Sequence, residues 1–270
     1  MSKGGSYPTC SLVKKKQTLK ETFSGAHKSF KDKDFKTAEN ICYKILSIDP
    51  YHFDSISLLA TIFVMNGSFE KAKDLMIKAN EIQPENKSIL NNLGIAYKAL
   101  GKLDEAVSTY KKLLKMDPDH TNANYNIGLA YHDLRDLKTA KKYLQKTVQI
   151  QKNYALAFFS LGNVHVDLKE FNEALSCYQK AIEINPKIVS AHNNLGLLYR
   201  DLNDFKNAII CYENAIKLKA NHASSHHNLG QIYKELGEFN EASDFYQKSI
   251  NIEPNNANAH YNLGNTNQLL

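Results

Sequence analysis

The stretch NNLGIAYKALGKLDEA, Asn91–Ala106, decides the fold, because its small and apolar positions return every 34 residues along nearly the whole chain. Gly94, Gly128, Gly162, Gly196, Gly230 and Gly264 keep this step, and so do Ala38, Ala72, Ala106, Ala140, Ala174, Ala208 and Ala242. Five of the six prolines, Pro50, Pro84, Pro118, Pro186 and Pro254, share one phase. Packing residues and punctuation therefore recur together, as they do in a repeat array.

Counted from the phase of Gly94, the repeats run 19–52, 53–86, 87–120, 121–154, 155–188, 189–222 and 223–256, with a partial unit at 257–270. Within 87–120, Leu90, Leu93, Gly94 and Tyr97 fall at i, i+3, i+4 and i+7, on one face of a helix. A second helix carries Ala106, Tyr110, Leu113 and Leu114 and stops before Pro118. Gly94 and Ala106 let the two backbones approach. Bulk returns at the ends: Phe35, Phe69, Leu103, Leu137, Phe171, Phe205 and Phe239 open each second helix, and Ile48, Ile82, Met116, Ile150, Ile184, Leu218 and Ile252 close it. One hairpin cannot bury all of this, so hairpins must stack. The expectation is an all-α protein, a right-handed α-solenoid superhelix forming one elongated domain over 19–270.

A helix-turn-helix unit with Leu, Gly, Tyr, Ala, an aromatic and Pro in this order resembles the tetratricopeptide repeat (TPR) family. In 155–188 the resemblance is carried by Leu161, Gly162, Ala174, Tyr178, Ala181 and Pro186, with His165 in place of the usual tyrosine. It covers 19–270 and is weakest in the first unit, where Gly25 and Ala26 replace the Leu-Gly pair. Lys152 and Ala220 stand where proline is usual, which predicts longer, less sharply ended second helices at those two junctions.

The net charge of +6 is local: residues 1–36 hold nine lysines against Glu21, Asp32 and Asp34, and the rest of the chain is neutral. No basic stripe for nucleic acid follows the repeats. Residues 1–18, with Gly4, Gly5, Pro8 and Lys14, Lys15 and Lys16, read as a flexible basic arm. No signal-like or membrane-spanning stretch is present. Cys10, Cys42, Cys177 and Cys211 include no Cys-x-x-Cys pair, which fits buried thiols in a reducing, cytoplasmic setting.

Chemistry finds little support. His192, His226 and His260 stand 34 residues apart at the phase of Leu90 and Ile56, where they read as packing residues rather than converging metal ligands. There is no phosphate loop and no nucleophile elbow, so the chain as given reads as no enzyme, with no catalytic residues, metal or cofactor.

In the resembled family the first helix of each unit lines a concave groove. Here that face carries Asn92, Asn126, Ser160, Asn194, Asn228 and Asn262, preceded by Asn91, Tyr125, Phe159, Asn193, His227 and Tyr261. Amides both donate and accept, so the row can grip a peptide backbone or bridge neighbouring repeats. It resembles the asparagine ladder in the repeat arm of the O-linked N-acetylglucosamine transferases. A second row, Asp133, Asp167, Asp201 and Glu235, ends successive first helices, where the dipole disfavours negative charge. Salt bridging between units and recognition of basic peptide residues both offset that. Asn163 and Asn194 match asparagines of the chaperone-tail clamp found in some relatives, but Phe159, Ser224 and Asn228 replace its basic residues.

The expected function is therefore a scaffold binding an extended segment of a protein or peptide partner. The alternative is the substrate-recruiting arm of a larger enzyme, such as an O-linked N-acetylglucosamine-type glycosyltransferase, with its catalytic domain beyond Leu270. The last unit stops before its second helix, which suggests a fragment with weak self-association through an uncapped end.

Overall fold

A computed structural model describes residues 10–270, with side chains from Gln17 onward. In chain order the helices are α1 Cys10–Lys31, α2 Phe35–Ile48, α3 Phe53–Met65, α4 Phe69–Ile82, α5 Lys87–Ala99, α6 Leu103–Met116, α7 Thr121–Asp133, α8 Leu137–Ile150, α9 Ala155–Asp167, α10 Phe171–Ile184, α11 Val189–Asp201, α12 Phe205–Leu218, α13 Ala223–Glu235, α14 Phe239–Ile252 and α15 Ala257–Asn267. The even-numbered helices open on the Phe or Leu, and close on the Ile, Leu or Met, that the repeat phase picks out.

Half of the basic arm read from the sequence, residues 1–9, lies outside the described residues. Its second half is helical, since α1 starts at Cys10 and runs into the first repeat. No glycine or proline falls between Cys10 and Ser24, and the lysines and Gln17 are good helix formers.

The chain forms two compact units, one ending at Asp136 and one starting at Leu137, where the sequence reading has a single domain. In the first, α1 to α7 pack each against the next, and α1, α3, α5 and α7 also touch in succession. In the second, α8 to α15 pack in order, with α11, α13 and α15 also in contact. Such nearest-neighbour packing gives a repeat array no single centre, so compact subsets of it are natural.

The turn inside each hairpin is one device used seven times. The residue at its centre, Lys33, Gly67, Gly101, Arg135, Lys169, Asn203 or Gly237, has φ between 60° and 80°. Around it the chain makes a Schellman cap, for example Lys169 N–H to the Val166 carbonyl at 2.9 Å and Glu170 N–H to the His165 carbonyl at 2.8 Å. At the turn between hairpins, His52, Asn86, His120 and Asn256 cap the next helix by accepting its N3 amide.

The junctions at Lys152 and Ala220 end as sharply as the others: α8 and α12 are each 14 residues long, like α10. At Ala220 a histidine of the next helix holds the turn, as it does at two of the prolines. His226 Nε2 meets the Ala220 carbonyl at 2.9 Å, as His192 meets Pro186 at 2.9 Å and His260 meets Pro254 at 2.8 Å. These histidines thus tie down inter-hairpin turns, a polar role beyond the packing read from their phase.

In four hairpins the core is a small residue on one helix against a tyrosine on the other, and Cys42, Met76 and Leu144 take the tyrosine's place in the remaining three. Tyr110, Tyr178, Tyr212 and Tyr246 are fully buried, as are Ala106, Ala174, Ala208 and Ala242. A Cβ on Gly94, Gly162, Gly196 or Gly230 would lie 2.4–2.8 Å from the nearest ring atom of these tyrosines. Glycine is needed there for room.

Candidate functional site

The asparagines of the first helices are engaged with one another. Asn126 Nδ2 donates to Asn91 Oδ1 at 3.4 Å and Asn228 Nδ2 to Asn193 Oδ1 at 3.1 Å, each 35 residues back and one helix over. Asn262 Nδ2 lies 3.4 Å from His227 Nε2 by the same step. Asn194 Nδ2 donates instead to Asn163 Oδ1 at 3.1 Å, and Asn92 Oδ1 accepts from Asn91 at 3.3 Å. Ser160 and Asn228 are buried, while Asn92, Asn126, Asn194 and Asn262 are half-buried. The row therefore stitches first helices together, each stitch contributing roughly 0.5–1.5 kcal/mol net.

The ring-bearing residues beside the row face the second helices. Phe159 lies 5.9 Å from the Tyr178 ring and His227 5.5 Å from the Tyr246 ring. Tyr125 is half-buried, and Tyr261 is exposed. Burial pushes the hydroxyls of Tyr178 and Tyr246 up to about 12; Tyr178 donates to Asn163 Oδ1, whereas buried Tyr246 Oη has no partner among the described residues.

The acidic row is exposed. Asp133 pairs with Lys98 of the preceding first helix at 3.1 Å, whereas Asp201 pairs with Arg200 of its own helix at 3.0 Å. Arg200 also crosses to α13, donating to Gln231 Oε1 at 2.6 Å.

Clefts open between successive first helices of the second unit. One, of about 200 Å³, is lined by Val166, Phe171, Tyr178, Asn194, Leu197, Leu198 and Asp201. Another, of about 380 Å³, is lined by Gln231, Lys234, Glu235, Tyr246 and Asn262.

Three features were not read from the sequence. Asn163 is a node, accepting from Tyr178 Oη at 2.7 Å as well as from Asn194; it is polar at a phase filled by Ile95, Leu129 and Leu197, which is the signal that marks it. Glu170 binds Lys141 through both oxygens at 2.8 Å and His165 Nδ1 at 2.5 Å, and Lys141 first, then His165, hold its carboxyl below the usual range. Histidine at the N-cap positions was also not read.

Cys42 and Cys211 are buried and Cys177 is half-buried, all three unpaired, with burial pushing each thiol up to about 11. The side chain of Cys10 lies outside the described residues. Among the described residues no three His, Cys, Asp or Glu side chains are placed to hold a metal, and no helix is long and apolar enough to cross a membrane.

The comparisons agree with this architecture. The family described as TPR repeat matches residues 96–134, 162–202, 196–237 and 230–270, more than half of the chain. Tetratricopeptide repeat matches 121–154, and anaphase-promoting complex, cyclosome, subunit 3 matches 31–113. A search among curated proteins finds no match. Among solved structures, MamA is 28% identical with a TM-score of 0.57, over 61% of this chain and 96% of its own. A tetratricopeptide repeat protein from Parabacteroides merdae ATCC 43184 is 20% identical with a TM-score of 0.70, over 93% of this chain and 99% of its own. YrrB, described as a TPR protein with an unusual peptide-binding site, is 24% identical with a TM-score of 0.58, over 69% of this chain and 96% of its own. Proteins of this fold are typically protein-interaction scaffolds and generally not enzymes. With its 34-residue hairpins, glycine-tyrosine packing and all-α solenoid fold, the chain belongs to the tetratricopeptide repeat family.

Proposed function

We propose that the chain is a non-catalytic scaffold that holds an extended segment of a partner protein on the face formed by its first helices. The observation that carries this reading is the pair of clefts on α9–α11 and α13–α15. The first combines apolar walls with Asn194 and Asp201, and the second sets Tyr246 among Gln231, Lys234, Glu235 and Asn262, so the two together offer the mixture that a peptide site needs. The neutral charge of residues 37–270 favours a protein over a nucleic acid. The unpaired thiols favour a reducing, cytoplasmic setting.

The asparagine row supports the peptide site less than its sequence suggests, because each donated N–H already serves a neighbouring helix or amide. What remains for a ligand is the second N–H of Asn194 and of Asn262, which line the clefts, with Asp201 beside the first. The alternative, a recruiting arm of an O-linked N-acetylglucosamine-type glycosyltransferase, rests on that row alone and is the weaker reading.

Peptides of about twelve residues, selected from a random library on the full chain, test the proposal by amide chemical-shift mapping. Perturbations should concentrate on α9, α11 and α13. Their confinement to α10, α12 and α14 would move the site to the opposite face.

A further inference from the structure

Elsewhere on the first-helix face, the chain's own cations cross the gap between neighbouring helices. Lys98 on α5 reaches Asp133 at the end of α7, Nζ to Oδ2 3.1 Å. Arg200 on α11 reaches Gln231 on α13 at 2.6 Å. Both cations occupy one phase of the repeat, and between α9 and α11 that phase holds Val166. Asp201 is the equivalent of Asp133 two repeats on, yet no cation reaches it from α9. It keeps only the neighbouring Arg200, and its side chain remains 60% exposed. Where the internal cation is missing, the cleft of about 200 Å³ is open.

We propose that this cleft is a subsite for a lysine or arginine side chain of the bound segment, an inference that rests on the peptide-binding reading above. Val166, Phe171, Leu197 and Leu198 supply apolar wall for the methylene stem, and Asp201 lies where the charged head emerges. Asp167 adds to the negative field, since after burial its charge contributes to the raised pKa of Tyr178 on the cleft wall. Asp201 ends its helix, where the dipole disfavours it, so an arriving cation relieves it. A glutamate would be repelled, and an apolar side chain would fill the walls without reaching Asp201.

The test uses library-selected peptides, synthesised with the basic residue of the consensus kept, or replaced by norleucine or glutamate. Titration calorimetry against the full chain should show norleucine binding about fivefold to tenfold more weakly, as for a charge pair at a half-exposed site, and glutamate more weakly still. Asp201→Asn should erase the difference between lysine and norleucine. Val166→Lys, which copies the internal cation of α5, should fill the cleft and weaken every peptide while helicity is kept. Peptides that map to the first-helix face without a basic consensus residue, or a lysine preference unchanged by Asp201→Asn, would overturn the subsite and leave the groove reading intact. Peptides that bind only the opposite face would overturn both.

Discussion

A Cβ on Gly162 would lie 2.6 Å from Cε1 of Tyr178, so the side chain that α9 lacks is the space in which the ring of α10 packs. Gly162→Ala should therefore destabilise the chain by about 1–3 kcal/mol through overpacking, although alanine is the better helix former. Gly264, at the same phase on α15, meets nothing within 4 Å. Gly264→Ala should stabilise by about 0.5–1 kcal/mol. Urea unfolding followed by circular dichroism would read both, and two changes of the same sign would refute the packing argument.

The hairpin turns give a second contrast. Lys33, Arg135 and Lys169 sit at φ 62–63° without the freedom of glycine, which Gly67, Gly101 and Gly237 have at equivalent places. Lys169→Gly should gain about 1 kcal/mol by relieving the left-handed strain, and Gly101→Ala should lose a similar amount. At Asn203 the gain should be smaller, because asparagine tolerates this region. Thermal melts of the three variants would order them.

The fold was legible because its determinants are local and periodic: Gly94, Ala106 and Tyr110 recur at fixed spacing and name the faces that meet. The site was less legible. Asn126 and Asn228 could be placed on the first-helix face by phase, but whether their amides meet a peptide or the neighbouring repeat depends on how closely α5 approaches α7 and α11 approaches α13. Single-residue phase also misled at Lys152 and Ala220, where a missing proline suggested a longer helix but α8 and α12 stop after 14 residues, with His226 on the Ala220 carbonyl at the second junction. The αL residues Lys33 and Lys169 carry no sequence mark of their own. Only alignment with Gly67 and Gly101 reveals them.

The amide stitches should appear in stability before they appear in binding. Asn228→Ala removes the donor to Asn193 Oδ1, which retains Ser225 Oγ at 3.1 Å, so the loss should stay near 0.5–1.5 kcal/mol. Asn194→Ala also leaves Asn163 one partner, the Tyr178 hydroxyl, and should cost a similar amount. Asn193 Nδ2 also donates to Asn194 Oδ1 at 3.4 Å, which joins the two bonds in one network, so the double variant should depart from additivity. A melting temperature unchanged by both substitutions would show that the stitches contribute nothing.

The histidines give stability a pH dependence whose sign follows from burial. In the fold His222 is pushed below its ordinary value of 6.5 by burial and then by Lys219, and His227 by burial and then by Arg200. Above pH 6.5 both residues are neutral whether the chain is folded or not, and they contribute no slope. As pH falls below 6.5 the unfolded chain takes up the protons first, so stability declines until the folded-state values are passed and then levels. Nδ1 of His222 lies 2.8 Å from Ser225 Oγ, and because that hydroxyl gives its one proton to Asn193 Oδ1 at 3.1 Å, the imidazole Nδ1–H is the donor in this contact. His222 makes no side-chain bond to the backbone of α13, and His222→Asn, with the residue that caps α5 and α15, should remove part of the decline. Glu170, whose carboxyl Lys141 and His165 hold low, adds a separate loss only as pH falls below about 4.5. Urea midpoints measured from pH 7.5 to 5.0 should therefore fall for the native chain and fall less for His222→Asn. Parallel curves for the two proteins would exclude this histidine as a source of the slope.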